Sequence, residues 1–171
     1  MSYKNLPMQT QEAVKQRHSC RSFNGKPIAA DLIEELINCA SLAPTARNIQ
    51  PWEFVAITKK ETLGKLAQLA ENGRFLAESS CCIAVLAQET KYYLEDGCAA
   101  TENILLCATD SGLASCWVAG DKKDYCGKVK ELLGVPKDLK LVSLVALGYS
   151  DTKADVPAKR ALEEVLHWEK F

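Results

Sequence analysis

The densest group of chemically able side chains is Arg17-His18-Ser19-Cys20-Arg21, where two guanidiniums, an imidazole and a hydroxyl stand together at the end of a helical pattern. Guanidinium forks match phosphate oxygens bidentately, and a serine hydroxyl adds a short neutral donor, so this stretch can grip an anion. A solvated basic helix end is the alternative, because the macrodipole favours cations there. A second stretch, Ala43-Pro44-Thr45-Ala46-Arg47-Asn48-Ile49-Gln50-Pro51-Trp52, is a loop stiffened by two prolines. Asn48 and Gln50 each offer a donor and an acceptor, which suits the hydroxyls and carbonyls of a polar ligand; the same groups can instead cap the loop's own backbone. Near the C-terminus, Pro157-Ala158-Lys159-Arg160 precedes a short acidic, helix-like segment at 161–167. Lys159 and Arg160 are natural partners for Arg17 and Arg21 on one phosphate, should the chain ends meet.

These residues need elements to hold them. Residues 10–17 read as a short helix and 31–43 as a better one, with Leu32, Ile33, Leu36, Ile37 and Ala40 at helical spacing and Pro44 as its stop. Residues 52–58 read as a strand and 61–71 as an amphipathic helix ending near Asn72-Gly73. The uncharged run 81–87 reads as a strand buried on both faces. The longest helix is expected at 94–111, with Gly112 as its C-terminal stop. Residues 113–118 look extended, 124–133 helical with Asp124 as a possible N-cap and Gly134 and Pro136 beyond it, and 141–149 forms the last central strand. Helices outnumber strands without strict βαβα alternation, so a mixed α+β sandwich is expected.

The 171-residue chain has 47% hydrophobic residues and neither an internal repeat nor a Pro/Gly-rich linker, which points to one domain over 1–171. With 21 basic against 22 acidic residues there is no global field to draw nucleic acid or an anionic membrane, so any anion site is local. No apolar stretch is long enough to span a bilayer as a helix, and the polar start at 1–16 does not read as a signal peptide; a cytoplasmic location is expected. The eight cysteines form no CxxC pair, and only His18 and His167 could join them on a metal, so buried thiols are expected rather than a zinc site. The adjacent Cys81-Cys82 pair falls in a strand that the pattern places at the centre, and it reads as structural. Neither GxGxxG nor a P-loop is present, so a nucleotide would be held some other way.

In their order, these stretches resemble the nitroreductase family of FMN oxidoreductases. The resemblance runs through Arg17, Ser19 and Arg21, the segment 23–28, the NxQPW loop within 43–52, Asp96 with 103–106, Gly112-Leu113, the turn 115–120, the Leu132-to-Pro136 stretch, Leu147-Gly148-Tyr149 and Lys159-Arg160. It implies a nitroreductase-like fold, a central mixed or antiparallel sheet flanked by helices, in an intertwined homodimer with FMN at the interface and the tail 150–171 joining site and dimer. It further implies that Arg17, Ser19, Lys159 and Arg160 hold the phosphate and ribityl chain, and that His18 and Arg21 reach the phosphate or the pyrimidine edge. Pro44, Thr45, Ala46 and Asn48 of the opposite subunit then line the ring, Asn72 lies near it, and the amides of Ala119 and Gly120 face flavin N5 and O4. NADH or NADPH would donate hydride and a nitroaromatic or quinone accept it in ping-pong fashion, with no catalytic side chain and no metal.

Two residues depart from the family pattern, Ala119 in place of an acidic residue and His18 in place of a second arginine. The chain also lacks a long insertion between Gln88 and Asp96 that could cover the pocket. A flavin-binding sensor or carrier without turnover, and a reductive dehalogenase-like flavoenzyme, are the alternative readings.

Overall fold

A computed structural model describes residues 10–152 and 156–171; most of the polar N-terminal stretch, residues 1–9, lies outside them. Four strands form one sheet: β1 (Trp52–Ile57), β2 (Cys81–Gln88), β3 (Ala114–Ala119) and β4 (Leu139–Gly148), in the spatial order β1-β2-β4-β3. All three strand pairs are antiparallel, with Cys81 opposite Leu147, Trp52 opposite Ala87 and Ala119 opposite Ser143. The one parallel element among the described residues is an isolated bridge between Ser19 and Ser115.

The uncharged β2 run is buried on both faces, as its composition requires, and β4 beside it is likewise buried. Along β2 the side chains alternate between two cores. Cys81, Ile83, Val85 and Ala87 meet α2 (Ala30–Ser41) and α4 (Tyr93–Asp110), while Cys82, Ala84 and Leu86 meet α3 (Lys60–Leu69), the 3-10 segment Glu71–Ala77 and α5 (Cys126–Leu132). The short α1 (Thr10–Gln16) rests on α4. The expected central antiparallel sheet flanked by helices is therefore present.

Both glycine stops behave as their position demands. Gly112 (φ +72°) follows α4, where the Leu113 amide donates to Ala108 O at 2.8 Å; Gly134 (φ +66°) follows α5, with the Val135 amide on Lys130 O at 2.9 Å. Each is a left-handed residue closing a helix end. Two expectations need correction. Asp124 does not cap α5, which starts only at Cys126 with Tyr125 at the cap position and no side-chain capping bond. The helix expected at 61–71 ends at Leu69, and Asn72-Gly73 lie inside the 3-10 segment that follows. Gly73 packs closely there, for a Cβ would sit 3.0 Å from Ala70 Cβ and 3.1 Å from Val118 Cγ1 on β3.

The thiols of Cys81 and Cys82 are free and wholly buried. Burial pushes Cys81 up to about 12 from an ordinary 9.0 and Cys82 well above that value. A group whose native pKa is raised stabilises the fold fully below its unfolded pKa, and that contribution is lost as pH climbs toward the native one. Urea midpoints are accordingly expected to hold to about pH 8.5 and to fall between about pH 9 and 12. A thiol reagent should count these two cysteines only after unfolding; rapid labelling of both in the native protein would contradict the buried assignment.

Candidate functional site

The basic stretch lies extended along the free edge of β3. The Cys20 amide donates to Ser115 O at 2.9 Å, and the Ser19–Ser115 bridge continues the contact. Extended backbone sends alternate side chains to opposite sides, which splits the cluster. Ser19 contacts the Cys116 thiol, and the Arg21 guanidinium lies 5.9 Å over the Phe75 ring, toward the 3-10 segment that carries Asn72. His18 and Cys20 instead line a cleft of about 330 Å³ with Thr109, Leu113, Ser150 and Thr152. Arg17 Nε sits 3.6 Å from Glu102 Oε1 on α4, and His18 Nδ1 lies 3.0 Å from Gln16 O. Burial raises the Cys116 thiol pKa, while Arg21, Ser19 and Arg17 all act against that rise.

The far end of β3 turns at Ala119-Gly120-Asp121, and neighbours tie down every part of it. The amides of Gly120 and Asp121 both donate to Val142 O, at 3.0 and 3.3 Å. Tyr125 donates its hydroxyl to Ala119 O, Cys126 Sγ donates to Gly120 O at 2.6 Å, and Tyr93 donates its hydroxyl to Asp121 Oδ1 at 2.8 Å. That last bond, followed by burial, pushes the Tyr93 phenol up to about 12. Only glycine fits at 120, since a Cβ would stand 2.7 Å from the carbonyl oxygens of Leu141 and Val142. The Gly120 amide is therefore engaged inside the fold, in contrast to the expectation that it faces a ligand. Ala119 is exposed.

Between α2 and β1, the loop holds three non-glycine residues in the left-handed region: Arg47 (φ 57°), Asn48 (φ 56°) and Gln50 (φ 53°). Each costs on the order of 1 kcal/mol or more, so the surroundings must enforce the shape. The Gln50 amide donates to Thr45 Oγ1 at 3.2 Å, Gln50 Nε2 donates to Asn48 Oδ1 at 3.1 Å, and the Ala46 amide donates to Asp96 Oδ1 at 3.1 Å. Pro44 and Asn48 are exposed, and among the described residues no hydrogen bond or ion pair joins this loop to residues 17–21.

The nitroreductase family model matches residues 14–79 and 74–149, covering the sheet, its helices and all three elements just described. The chain belongs to the nitroreductase family. A protein of Archaeoglobus fulgidus, provisionally named an NADH dehydrogenase/NAD(P)H nitroreductase, is 35% identical over 81% of this chain and 84% of its own. Among solved structures, one of Parabacteroides distasonis carrying the same provisional name superposes with a TM-score of 0.90 at 27% identity, covering 96% of this chain and 99% of that one. An FMN-dependent nitroreductase of Clostridium difficile superposes at 0.87 with 26% identity over 93% and 98% of the two chains.

Within this family member, the C-terminal basic pair is not gathered with the first cluster among the described residues. Arg160 turns to its own segment, donating from Nη2 to Glu164 O at 2.6 Å with Nε 3.6 Å from Glu164 Oε2, and Lys159 is exposed. The chain ends do approach earlier: Asn24 Nδ2 donates to Asp151 Oδ1 at 3.0 Å, and the Asn24 amide to Tyr149 O at 2.9 Å. Sequence reasoning gave no site role to Asp96, Tyr93 or Tyr125. Asp96 did leave a signal, for it shares the i, i+4 row of α4 with buried Ala100, Ile104 and Ala108, where a carboxylate needs a reason. Among the described residues no group of three metal-ligating side chains occurs, and no helix is long and apolar enough to cross a membrane.

Gly120→Ala is expected to lower the unfolding free energy by about 1–3 kcal/mol, because the added methyl meets backbone carbonyls that cannot swing aside. Urea denaturation measures this, and a variant as stable as the parent would show that the turn has room to relax.

Proposed function

We propose that this nitroreductase family member is an FMN-dependent NAD(P)H oxidoreductase that works as a cytoplasmic homodimer on nitroaromatic or quinone acceptors. The observation that carries the reading is the β3 edge, flanked by Arg17, Ser19 and Arg21 at one end and by the exposed Ala119 turn at the other. A phosphate needs several convergent donors, and a nearly neutral chain supplies a positive potential only locally, here at this edge. The donor set therefore fits FMN. Arg17, Ser19 and Arg21, joined by Lys159 and Arg160 of the tail, hold its phosphate and ribityl chain; His18 supplies a donor from the neighbouring cleft. Ala119 and Asn72 border the ring, and Gly120 serves by leaving room for the turn. The chemistry FMN supplies there is transfer of a hydride from NADH or NADPH to an acceptor that takes the nucleotide's place. No side-chain acid, base or nucleophile is assigned to the reaction.

A second copy of the chain completes the site. Pro44, Thr45, Ala46 and Asn48 form a rigid, exposed platform that finds no ligand surface within its own protomer, and Leu42 beside it is 75% exposed. The tail shows Leu162, Val165, Leu166, Trp168 and Phe171 to solvent, with Trp168 79% exposed. Apolar side chains gathered at this density call for a partner surface. The domain 1–171 thus acts with its tail reaching over a second subunit, placing the Pro44-to-Asn48 platform on the partner's flavin.

Two outcomes test the reading. Purified protein is expected to be yellow, to release FMN on denaturation, and to oxidise NADH or NADPH with menadione or a nitrofuran; bound flavin that neither nucleotide bleaches would overturn turnover and leave a carrier. Arg17→Ala and Arg160→Ala are each expected to give dimeric protein depleted of FMN, since a lost charge-assisted hydrogen bond is worth about 1.5–3 kcal/mol, or roughly tenfold to a hundredfold in affinity. Unchanged FMN content in both would remove these residues from the phosphate site.

A further inference from the structure

The loop at residues 45–48 and the turn at 119–121 are far apart in sequence, yet both are tied to one helical turn. Asp96 lies in the first turn of α4, only 5% exposed. Its Oδ1 accepts the Ala46 amide at 3.1 Å, and its Oδ2 is buried without a hydrogen-bond partner. A buried carboxylate left half satisfied is costly, so its presence calls for a function that an apolar residue could not supply. The amide it receives opens the segment in which Arg47, Asn48 and Gln50 are all left-handed, and removing that bond frees the strained backbone to relax.

Three residues earlier on the same helix face, Tyr93 donates its hydroxyl to Asp121 Oδ1 at 2.8 Å. Next to Asp96, and one turn on from Tyr93, Gly97 lets the helix press on Val142, where a Cβ would lie 2.7 Å from Cγ2. The carbonyl of that same Val142 receives the amides of Gly120 and Asp121. One helical turn thus sets the loop through Asp96 and the turn through Tyr93, with the close Gly97–Val142 contact beside Asp96.

We infer that Asp96 and Tyr93 are positioning residues, which fix the Thr45-to-Asn48 platform and the Ala119-to-Asp121 turn at the geometry that FMN binding requires. The inference rests on the flavin reading above and extends it to two residues that touch no ligand. In the dimer, Asp96 acts on the partner's flavin and Tyr93 on the flavin of its own subunit.

The test uses the full-length protein, with FMN as the probe. Asp96→Ala is expected to weaken FMN binding at least tenfold, measured by quenching of flavin fluorescence, whereas Asp96→Asn, which keeps an acceptor oxygen for the Ala46 amide, restores most of the affinity. Should Asp96→Ala fail to fold, Ala46→Pro deletes the same hydrogen bond from the donor side. Proline suits that position, since it opens a helical turn after an extended Thr45 (φ −131°, ψ 152°). A tenfold loss in Ala46→Pro that is absent from Ala46→Val, which keeps the amide, supports the inference equally, and an equal loss in both overturns it. Tyr93→Phe is expected to leave the thermal midpoint of the apo-protein unchanged while altering about fivefold the ratio of affinities for oxidised and reduced FMN. That ratio appears as a midpoint-potential shift of about 20 mV for a two-electron couple. Wild-type affinity in Asp96→Ala, or in Ala46→Pro where Asp96→Ala does not fold, together with an unmoved potential in Tyr93→Phe, overturns the inference while the flavin reading stands. Wild-type protein that binds no FMN overturns the flavin reading itself.

Discussion

Burial of β2 and β4 on both faces is the constraint on which the remaining structure depends. Strands this apolar, with Lys140 near the start of β4 as their one charge, bury both faces, and their backbone groups need neighbours on both edges. They therefore take the middle of the sheet, β1 and β3 take the edges, and a helical layer covers each face. The chemistry follows the edges. The strained loop leads into β1, the basic stretch 17–21 lies beside β3, and the Ala119–Gly120 turn leaves β3 at its other end. A core held this firmly can support positive-φ residues and a buried half-satisfied carboxylate, because the packing contributes far more stability than those features cost.

The site residues share one property. Apart from Gly120, they are exposed or only partly buried, and the described residues build no enclosure around them. A chain with almost balanced charge has concentrated guanidiniums beside one strand edge, kept its platform loop rigid, and left the tail's aromatic and aliphatic side chains in the open. These features agree with one another if ligand and partner surface arrive together. Rigidity at the loop and the turn is what makes this economical, since preorganised donors lose little freedom when a ligand comes to rest on them.

Periodicity made the elements legible, because apolar spacing reports directly which face of a helix or strand is covered. The alternation along β2, the α4 pattern and the glycine stops at 112 and 134 all appear where the residues demand them. Boundaries decided by geometry were less legible. Asp124 has the chemistry of a cap, but the chain turns once more before α5 begins, and the helix after β1 ends at Leu69, where a 3-10 segment carrying Asn72 and Gly73 takes over. Residues 17–21 look like a single cationic cluster when written in a line. Once extended against Ser115, they divide between two sides of the strand.

The sequence by itself determined the family, the two-faced burial of β2, the confinement of the candidate anion site to local basic stretches and the glycine stops at 112 and 134. The family is carried by the resemblance of these motifs in their order, and the other features follow from local composition and spacing, which survive without knowledge of what lies opposite. Only the tertiary structure decided that the Gly120 amide serves Val142, that Arg160 turns to Glu164 within its own protomer, and that Asp96 and Tyr93 reach the loop and the turn from one helical face. Arg160 and Glu164 are four residues apart, while the other pairings join residues separated by about 20 to 50 positions; a hydrogen bond depends on where two groups meet in space rather than on how far apart they lie in the chain.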